Sequence, residues 1–561
     1  MRVVLGFVIF LLIPFFGFSN SKNNQSNFNY EAWKTTVSRA EAVLLAGRAS
    51  EKSLEILRDE IGDWRSNFKS LISINSDRIS LVQSQLNALP APPDDGVEDP
   101  LKGRRNELKT LLNDMKMPGL RANDAFIQAD TLISEIDLLL RTRQTDALLT
   151  SDESPLRPSI WAQSIAQLSG AFFAPFTELR STEITDAQKI TLKKQAVSIV
   201  ALILGTVISW MVGLKITNSI ETFKHTMVQK RLNALKLPVS ILELMFKFLS
   251  VILLVRALHL SGLIGLKGSL FLDQLPYFSA LFLFAMWLPK HLFSGEVGFL
   301  SSLNLNSKLT TNSNFGAAAL VLILFDLTST GLAQSSIDGD ANAFATLIIT
   351  LMASFILWRI YKSINDIETL FSENQNINGQ FSSTFSSRLI YLINRFLLIA
   401  LFLAPVLVAV GYVNAGRELT QSVILSLGLI STVIIIQDYV IGLYLMVLGE
   451  ENDNKDKLIP ILISFVLLLV SLPFFAVIWG VRQQELLEIW SSFQSGFELG
   501  TIKLSPGLIL GFLVIFTIGY MLTRLVQSAL QTTVLPRTSM DGGAQTAIIS
   551  GVGYVGIFLA A

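Results

Sequence analysis

Leu535-Pro536-Arg537-Thr538-Ser539-Met540-Asp541-Gly542-Gly543 is a short polar linker that leaves one apolar stretch and enters another. The second stretch, Ala544-Gln545-Thr546-Ala547-Ile548-Ile549-Ser550-Gly551-Val552-Gly553-Tyr554-Val555-Gly556, is rich in small residues. A turn-forming polar segment between two apolar runs reads as a helical hairpin, each arm about the ~20 residues needed to cross a bilayer. Eight further apolar runs precede this one. The expected fold class is therefore an all-α membrane protein.

Composition agrees. The 561 residues are 51% hydrophobic and 16% charged, with mean hydropathy +0.51, too apolar for a chain that keeps its surface in water. The formal net charge is +0, which argues against nucleic acid as a partner. With Cys 0, disulfides, thiolate nucleophiles and cysteine-held metals are excluded. His225, His259 and His291 stand far apart in sequence and suggest no ligand cluster.

Ten spans are expected, near 196–214, 238–258, 277–292, 315–333, 343–360, 389–412, 423–448, 458–480, 507–530 and 544–561. Residues 1–19 pair an N-terminal charge with a short apolar run and small residues, a signal-peptide outline that places residue 20 onward outside the cytoplasm. The loop after the first span carries Lys215, Lys224, Lys230, Arg231 and Lys236, and the positive-inside rule makes it cytoplasmic. Alternation then keeps the positively charged loops inside, with the acidic 450–457 segment as the partial exception.

Between the signal peptide and the first span, residues 20–194 read as an exported helical domain. Leu54, Leu57, Ile61, Trp64, Phe68 and Leu71 recur at alternating three- and four-residue steps, a coiled-coil seam. The register slips near Ile72, then continues through Ile79, Val82, Leu86 and Leu89 until Pro90, Pro92 and Pro93 end the helix. A second stretch starts near Leu101, is expected to break at Pro118-Gly119, and resumes with Phe126, Ala129, Ile133, Ile136 and Leu140. The two seams satisfy each other as an intramolecular hairpin; pairing between chains is the alternative. Residues 178–194 are expected to form a short helix leading into the membrane.

The arrangement resembles the large members of the small-conductance (MscS-like) family of bacterial mechanosensitive channels. The linker at 535–543 is similar to the transition between the family's first two core helices. Ser154-Pro155-Leu156, Pro158 and Trp161 resemble the close of the family's periplasmic domain. The resemblance implies residues 195–506 as accessory helices and 507–561 as the first two core helices. It implies a bacterial inner-membrane location, a periplasmic N-terminal domain and a homo-oligomer, heptameric in the family. In the family a pore helix and a cytoplasmic β domain follow, so this chain alone is expected not to conduct.

Ionisable residues inside spans are costly and mark candidate functional positions. Glu243 and Lys247 are four apart on one helix face and able to pair. Asp326 and Asp438 have no local partner, with Arg395 and Arg256 as candidates from other spans. These groups suit either an ion relay or structural pairs. The 482–504 stretch places Leu486, Trp490, Phe493 and Phe497 opposite Gln483, Glu485 and Glu488, an amphipathic helix for the outer leaflet and a candidate tension-coupling element. Arg524 and Arg537 flank the cytoplasmic turn, within reach of anionic headgroups. The glycines of 551–556 superficially resemble a phosphate loop, but in an apolar span they instead permit close helix packing.

No catalytic, cofactor or metal motif is apparent, so an enzyme is not expected. The function expected is the N-terminal part of a tension-gated channel for osmotic shock, with the lipid bilayer as its partner. The alternatives are an ion-coupled secondary transporter and a membrane scaffold whose helical domain binds a periplasmic partner.

Overall fold

The computed structural model describes residues 29–72, 75–90, 101–181, 186–223, 229–292, 308–328, 338–378, 383–448, 458–495, 497–499, 502–504, 506–531 and 541–560. The signal-peptide region, the 535–540 linker with Arg537, the acidic 450–457 loop and the prolines at 92 and 93 lie outside the described residues.

The N-terminal bundle is built from α1 (Tyr30–Ala46), α2 (Glu51–Ile72), α3 (Ser76–Asn87) and α4 (Lys102–Leu149). Asn29 caps α1, its side-chain oxygen accepting from Ala32 N at 3.1 Å. Gly47 ends the helix in the left-handed region at φ 61, where a side chain would be strained. The seam residues Leu54, Leu57, Ile61 and Phe68 are buried against Ala129, Ile133, Ile136 and Leu140 of α4, with Trp64, Leu71 and Phe126 at the margin. The expected hairpin gains a third member, because Trp33, Val37 and Ala40 of α1 enter the same core. Trp33 meets Phe68 edge-on at 5.2 Å between ring centroids. The register slip falls between α2 and α3, and Val82 carries the seam on against Leu108 and Leu112.

One expectation fails at Pro118. The helix α4 runs through it unbroken. Proline removes one helical hydrogen bond and costs about 3 kcal/mol in a helix interior, but apolar contacts on both sides, Leu112 to α3 and Ala122 to α2, hold the helix together. Pro118 and Gly119 lie opposite the gap in the facing helices. A Cβ on Gly119 would stand 3.6 Å from the Ile72 carbonyl. Within that gap Asn75 donates to the Met115 carbonyl at 3.4 Å. The break read into one helix belongs to its neighbour.

Next comes α5 (Pro158–Ser181), which packs on later helices rather than on the bundle. A short helix expected over 178–194 is replaced by the end of α5 and the first turns of α6 (Asp186–Phe223), which continues into a span without a break. The following helices are α7 (Gln229–Ser261), α8 (Leu266–Leu292), α9 (Lys308–Asp326), α10 (Gly339–Asn378), α11 (Ser383–Val410), α12 (Val413–Leu448) and α13 (Leu458–Ile478).

Among the described residues, 6 stretches are long and apolar enough to cross a membrane: Leu192–Ile216, Leu237–Ser261, Gly268–Leu292, Gly339–Asn365, Tyr391–Val410 and Val413–Tyr444. Ser313–Asp326 and Leu462–Ile478 are shorter apolar helices. The third span begins earlier than its sequence suggested, because Pro276 sits within α8 instead of before it. Helices α9 to α12 share one core, centred on Phe325, Ala353, Leu357, Leu397 and Val423, and α12 also touches α7, α8, α13 and α4.

The chain finishes with α14 (Gln483–Ser495), an antiparallel strand pair β1 (Phe497–Leu499) and β2 (Ile502–Leu504), then α15 (Pro506–Ala529) and α16 (Gly542–Ala560). The amphipathic segment at 482–504 is thus helical only in its first half.

Candidate coupling interface

Two arginines and two aspartates make the bundle a docking surface. Arg58 and Arg65 are seven residues apart on α2, and Asp130 and Asp137 are seven apart on α4. Because the helices run antiparallel, one heptad up α2 meets one heptad down α4, so each arginine reaches one aspartate. Arg58 Nε donates to Asp137 Oδ1 at 2.7 Å and its Nη2 to Oδ2 at 3.2 Å. Arg65 Nη1 donates to Asp130 Oδ1 at 2.8 Å.

The third element is α14. Glu488 Oε1 accepts from both Arg58 at 2.7 Å and Arg65 at 2.9 Å. Arg482, at the start of α14, donates to Glu485 Oε1 at 2.8 Å and lies 3.0 Å from Asp137 Oδ1. Arg141 of α4 reaches the same Glu485 oxygen at 3.2 Å. Four arginines and four carboxylates therefore balance across α2, α4 and α14. The side chains of Arg58 and Arg482 are only 6% and 8% exposed, so each guanidinium needs its carboxylates to offset the cost of leaving water.

Electrostatics favours the charged form of Arg58 and opposes that of its neighbour Asp59. Burial opposes ionisation of Arg58, but hydrogen bonding and attraction from Asp137 and Glu488 outweigh it, so its pKa is raised. Asp59 beside it is held above the usual carboxylate range, chiefly by burial, against the opposing pull of Arg58 and a hydrogen bond from Gln484 of α14.

A second contact fixes the end of α4. Asp152 N donates to the Gly411 carbonyl at 3.0 Å, Ser154 Oγ to the Ala409 carbonyl at 2.6 Å, and Asn414 Nδ2 to the Ala147 carbonyl at 3.0 Å. Gly411, at φ 119, forms the tight turn between α11 and α12, and a Cβ there would collide with the Asp152 carbonyl. The bundle is thus seated on both the α11–α12 turn and α14.

On its other face α14 exposes Trp490 (55%) and Phe493 (45%), their rings 5.8 Å apart. From here the chain passes through β1–β2 into the α15–α16 pair. Gly553 and Gly556 let α16 lie close to α15: added Cβ atoms would strike Gln527 and Thr523. Gln527 Nε2 donates to the Ile549 carbonyl at 3.0 Å. Arg524 lies over the Tyr520 ring at 5.6 Å.

The intramembrane candidates are distributed over three helices. Glu243 and Lys247 form their i,i+4 ion pair on α7. Nearby, Trp287 Nε1 donates to Ser240 Oγ at 3.2 Å, and the His291 ring lies 4.7 Å from Trp287. Asp326 ends α9, and Asp438 is partly buried in α12. Arg395 stacks on Tyr391 at 5.3 Å, and Arg256 is exposed. Sequence reasoning missed Arg417 of α12, whose Nη2 donates to Asn342 Oδ1 at 3.1 Å and Thr346 Oγ1 at 3.0 Å. Among the described residues, no group of three or more histidines and carboxylates is placed to hold a metal.

The class these features define is a helical protein with several helices long and apolar enough to cross a membrane and a bundle docked on them. The family model for a protein of unknown function, DUF3772, matches residues 119–174. That segment comprises the C-terminal part of α4, its junction with the α11–α12 turn and most of α5. No curated protein matches the chain.

Proposed function

We propose that this chain is the N-terminal part of a tension-gated, MscS-like mechanosensitive channel of the bacterial inner membrane, with ten spans and a periplasmic helical bundle. The observation that carries the reading is the arginine–carboxylate network joining the bundle to α14, the helix that leads through β1–β2 into the α15–α16 pair. A bundle held rigidly at one end of α14, with Trp490 and Phe493 free to meet lipid, suits a device that relays membrane strain into a terminal hairpin.

The driving force is the product of tension and area change, so tension favours whichever state occupies more membrane area. A force shifts an equilibrium only through such a differential. The accessory helices enlarge the area coupled to the hairpin, and no catalytic group is required. Placement of Glu243, Asp326 and Asp438 on three separate helices gives the transporter reading less support.

The test uses the absence of cysteine. Spin labels at Thr131→Cys on α4 and Val526→Cys on α15 report the distance between bundle and hairpin in liposomes. Adding lysophosphatidylcholine to one leaflet is expected to shift that distance distribution. An unchanged distribution sinks the coupling. Under suction, patches containing this chain alone are expected to show no large tension-activated conductance.

A further inference from the structure

The helix α5 turns a stripe of large apolar side chains outward. Charged residues are absent from 158 to 177, although the flanking segments are charged. Two of its polar side chains face protein: Ser164 is 2% exposed, and Gln167 Nε2 donates to Asp338 Oδ2 at 2.7 Å while Asp338 N donates back to Gln167 Oε1 at 3.2 Å; Ser159, Gln163 and Ser169 are exposed. Its apolar side chains face outward. Trp161, Ile165 and Phe172, spaced four and seven residues apart, are 41%, 56% and 53% exposed and form one stripe, flanked by Phe173 at 56%. A helix on a water-facing surface does the reverse, turning its apolar stripe inward.

Position points the same way. Packing joins α5 to α8 and α10, both of which carry candidate spans. Its contacts with α10 lie at the start of the Gly339–Asn365 span: Gln167 reaches Asp338, and the Trp161 ring lies 6.0 Å from that of Phe344. The exposed stripe therefore continues the apolar outer surface of α10, where Ile348, Leu351 and Phe355 are exposed. Tryptophan is enriched at such a membrane boundary.

We propose that α5 lies in the membrane boundary with Trp161, Ile165 and Phe172 seated among lipid acyl chains, so that the bundle is anchored to the bilayer immediately after α4. The polar face of α5 reads the start of α10, and its apolar face reads the lipid. Lipid packing at that boundary thereby acts on the joint between bundle and spans. This inference rests on the membrane-spanning reading of α10 and not on channel activity.

Single cysteines at Ile165 and Phe172 carry a spin label in the full chain, reconstituted in phosphatidylethanolamine–phosphatidylglycerol liposomes. Labels at Leu351→Cys, within the α10 span, and Glu135→Cys, exposed on α4, serve as lipid and water references. Collision rates with oxygen and with a water-soluble nickel chelate are compared. At 165 and 172 oxygen collisions are expected to exceed nickel collisions, as at 351 and opposite to 135. Nickel-dominated relaxation at 165 and 172 with oxygen dominance kept at 351 overturns the proposal and leaves the membrane reading intact. Spin–spin broadening at 165 or 172 that disappears on dilution with unlabelled protein also overturns it, since a second copy then covers the stripe. Nickel dominance at 351 removes the membrane reading itself.

Discussion

The bundle of α1, α2 and α4 and the group of α9 to α12 are both packed helices, but they are closed by different means. The bundle buries large side chains, with Phe68, Leu54, Ile61 and Ile136 all at 0% exposure, and surrounds them with charge. In water, removing such apolar area from solvent supplies most of the stability. The α9–α12 group also buries Phe325, Leu357 and Leu397, but it adds Ala353, Ala400 and Ala404 with Thr346, Thr350 and Thr420, and exposes Ile348, Phe355 and Phe402. Its hydroxyls return to their own helix: Thr350 Oγ1 donates to the Thr346 carbonyl and Thr420 Oγ1 to Gly416, each at 2.7 Å. Where lipid replaces water, apolar burial drives nothing, and close backbone approach with satisfied polar groups takes over. The same contrast predicts where substitutions hurt.

The largest effect is expected in the bundle core. Residues 29–150 produced alone should give a helical circular-dichroism spectrum and a cooperative melt, because their core closes within α1, α2 and α4. Ile61→Asp or Phe68→Asp buries an unpaired charge and should cost more than about 4 kcal/mol, abolishing the melt. Retention of the transition would show that this core does not hold the bundle.

Next comes the joint between the two regions. Arg58→Ala leaves Asp137 with Arg482 and Glu488 with Arg65, so the loss is expected to fall below the about 3–5 kcal/mol of a buried charge left with no partner. A cysteine pair across α4 and α14, Leu138→Cys with Leu487→Cys, labelled for distance measurement, should broaden when Arg58 is removed. An unaltered distribution would mean that the bundle sits on α14 without its arginines.

A smaller loss is expected in the terminal hairpin. Gly556→Val forces α16 away from Thr523, and overpacking of this kind costs about 1–3 kcal/mol. A helix exposed to lipid on most sides would tolerate the change, so protease resistance equal to the parent chain would contradict the close α15–α16 packing.

The smallest concerns Asp59. Its folded pKa is raised, so folding favours the protonated form, and stability declines as pH rises through the interval above the ordinary aspartate value. In the full chain, Asp59→Asn should slightly raise the melting temperature at pH 7 and leave it unchanged at pH 3. A fall at pH 7 would contradict the raised pKa of Asp59.

Particular residues show how much of this was legible in the sequence. The seam from Leu54 to Leu71 and the set from Ala129 to Leu140 named the bundle core, because a soluble helix must keep one apolar stripe. Trp33 and Val37 were missed although Tyr30, Trp33, Val37, Ala40 and Leu44 recur at the same three- and four-residue steps. The interface was within reach: Arg58 and Arg65 against Asp130 and Asp137 is a heptad pattern on two helices expected to pair. The partnership of Glu488 with both arginines lay beyond any local pattern, because more than 400 residues separate them.

The sequence by itself determined the helical character, the apolar stretches, the bundle seam and the small-residue face of α16. Each follows from the periodicity with which side chains meet water, lipid or a neighbouring backbone, a local property. Only the tertiary structure decided that α4 passes through Pro118, that α5 turns its apolar stripe outward, and that Arg58, Asp137, Arg482 and Glu488 converge. Those outcomes depend on which distant surface faces each helix. Periodicity shows that a face must be covered, and only packing shows by what.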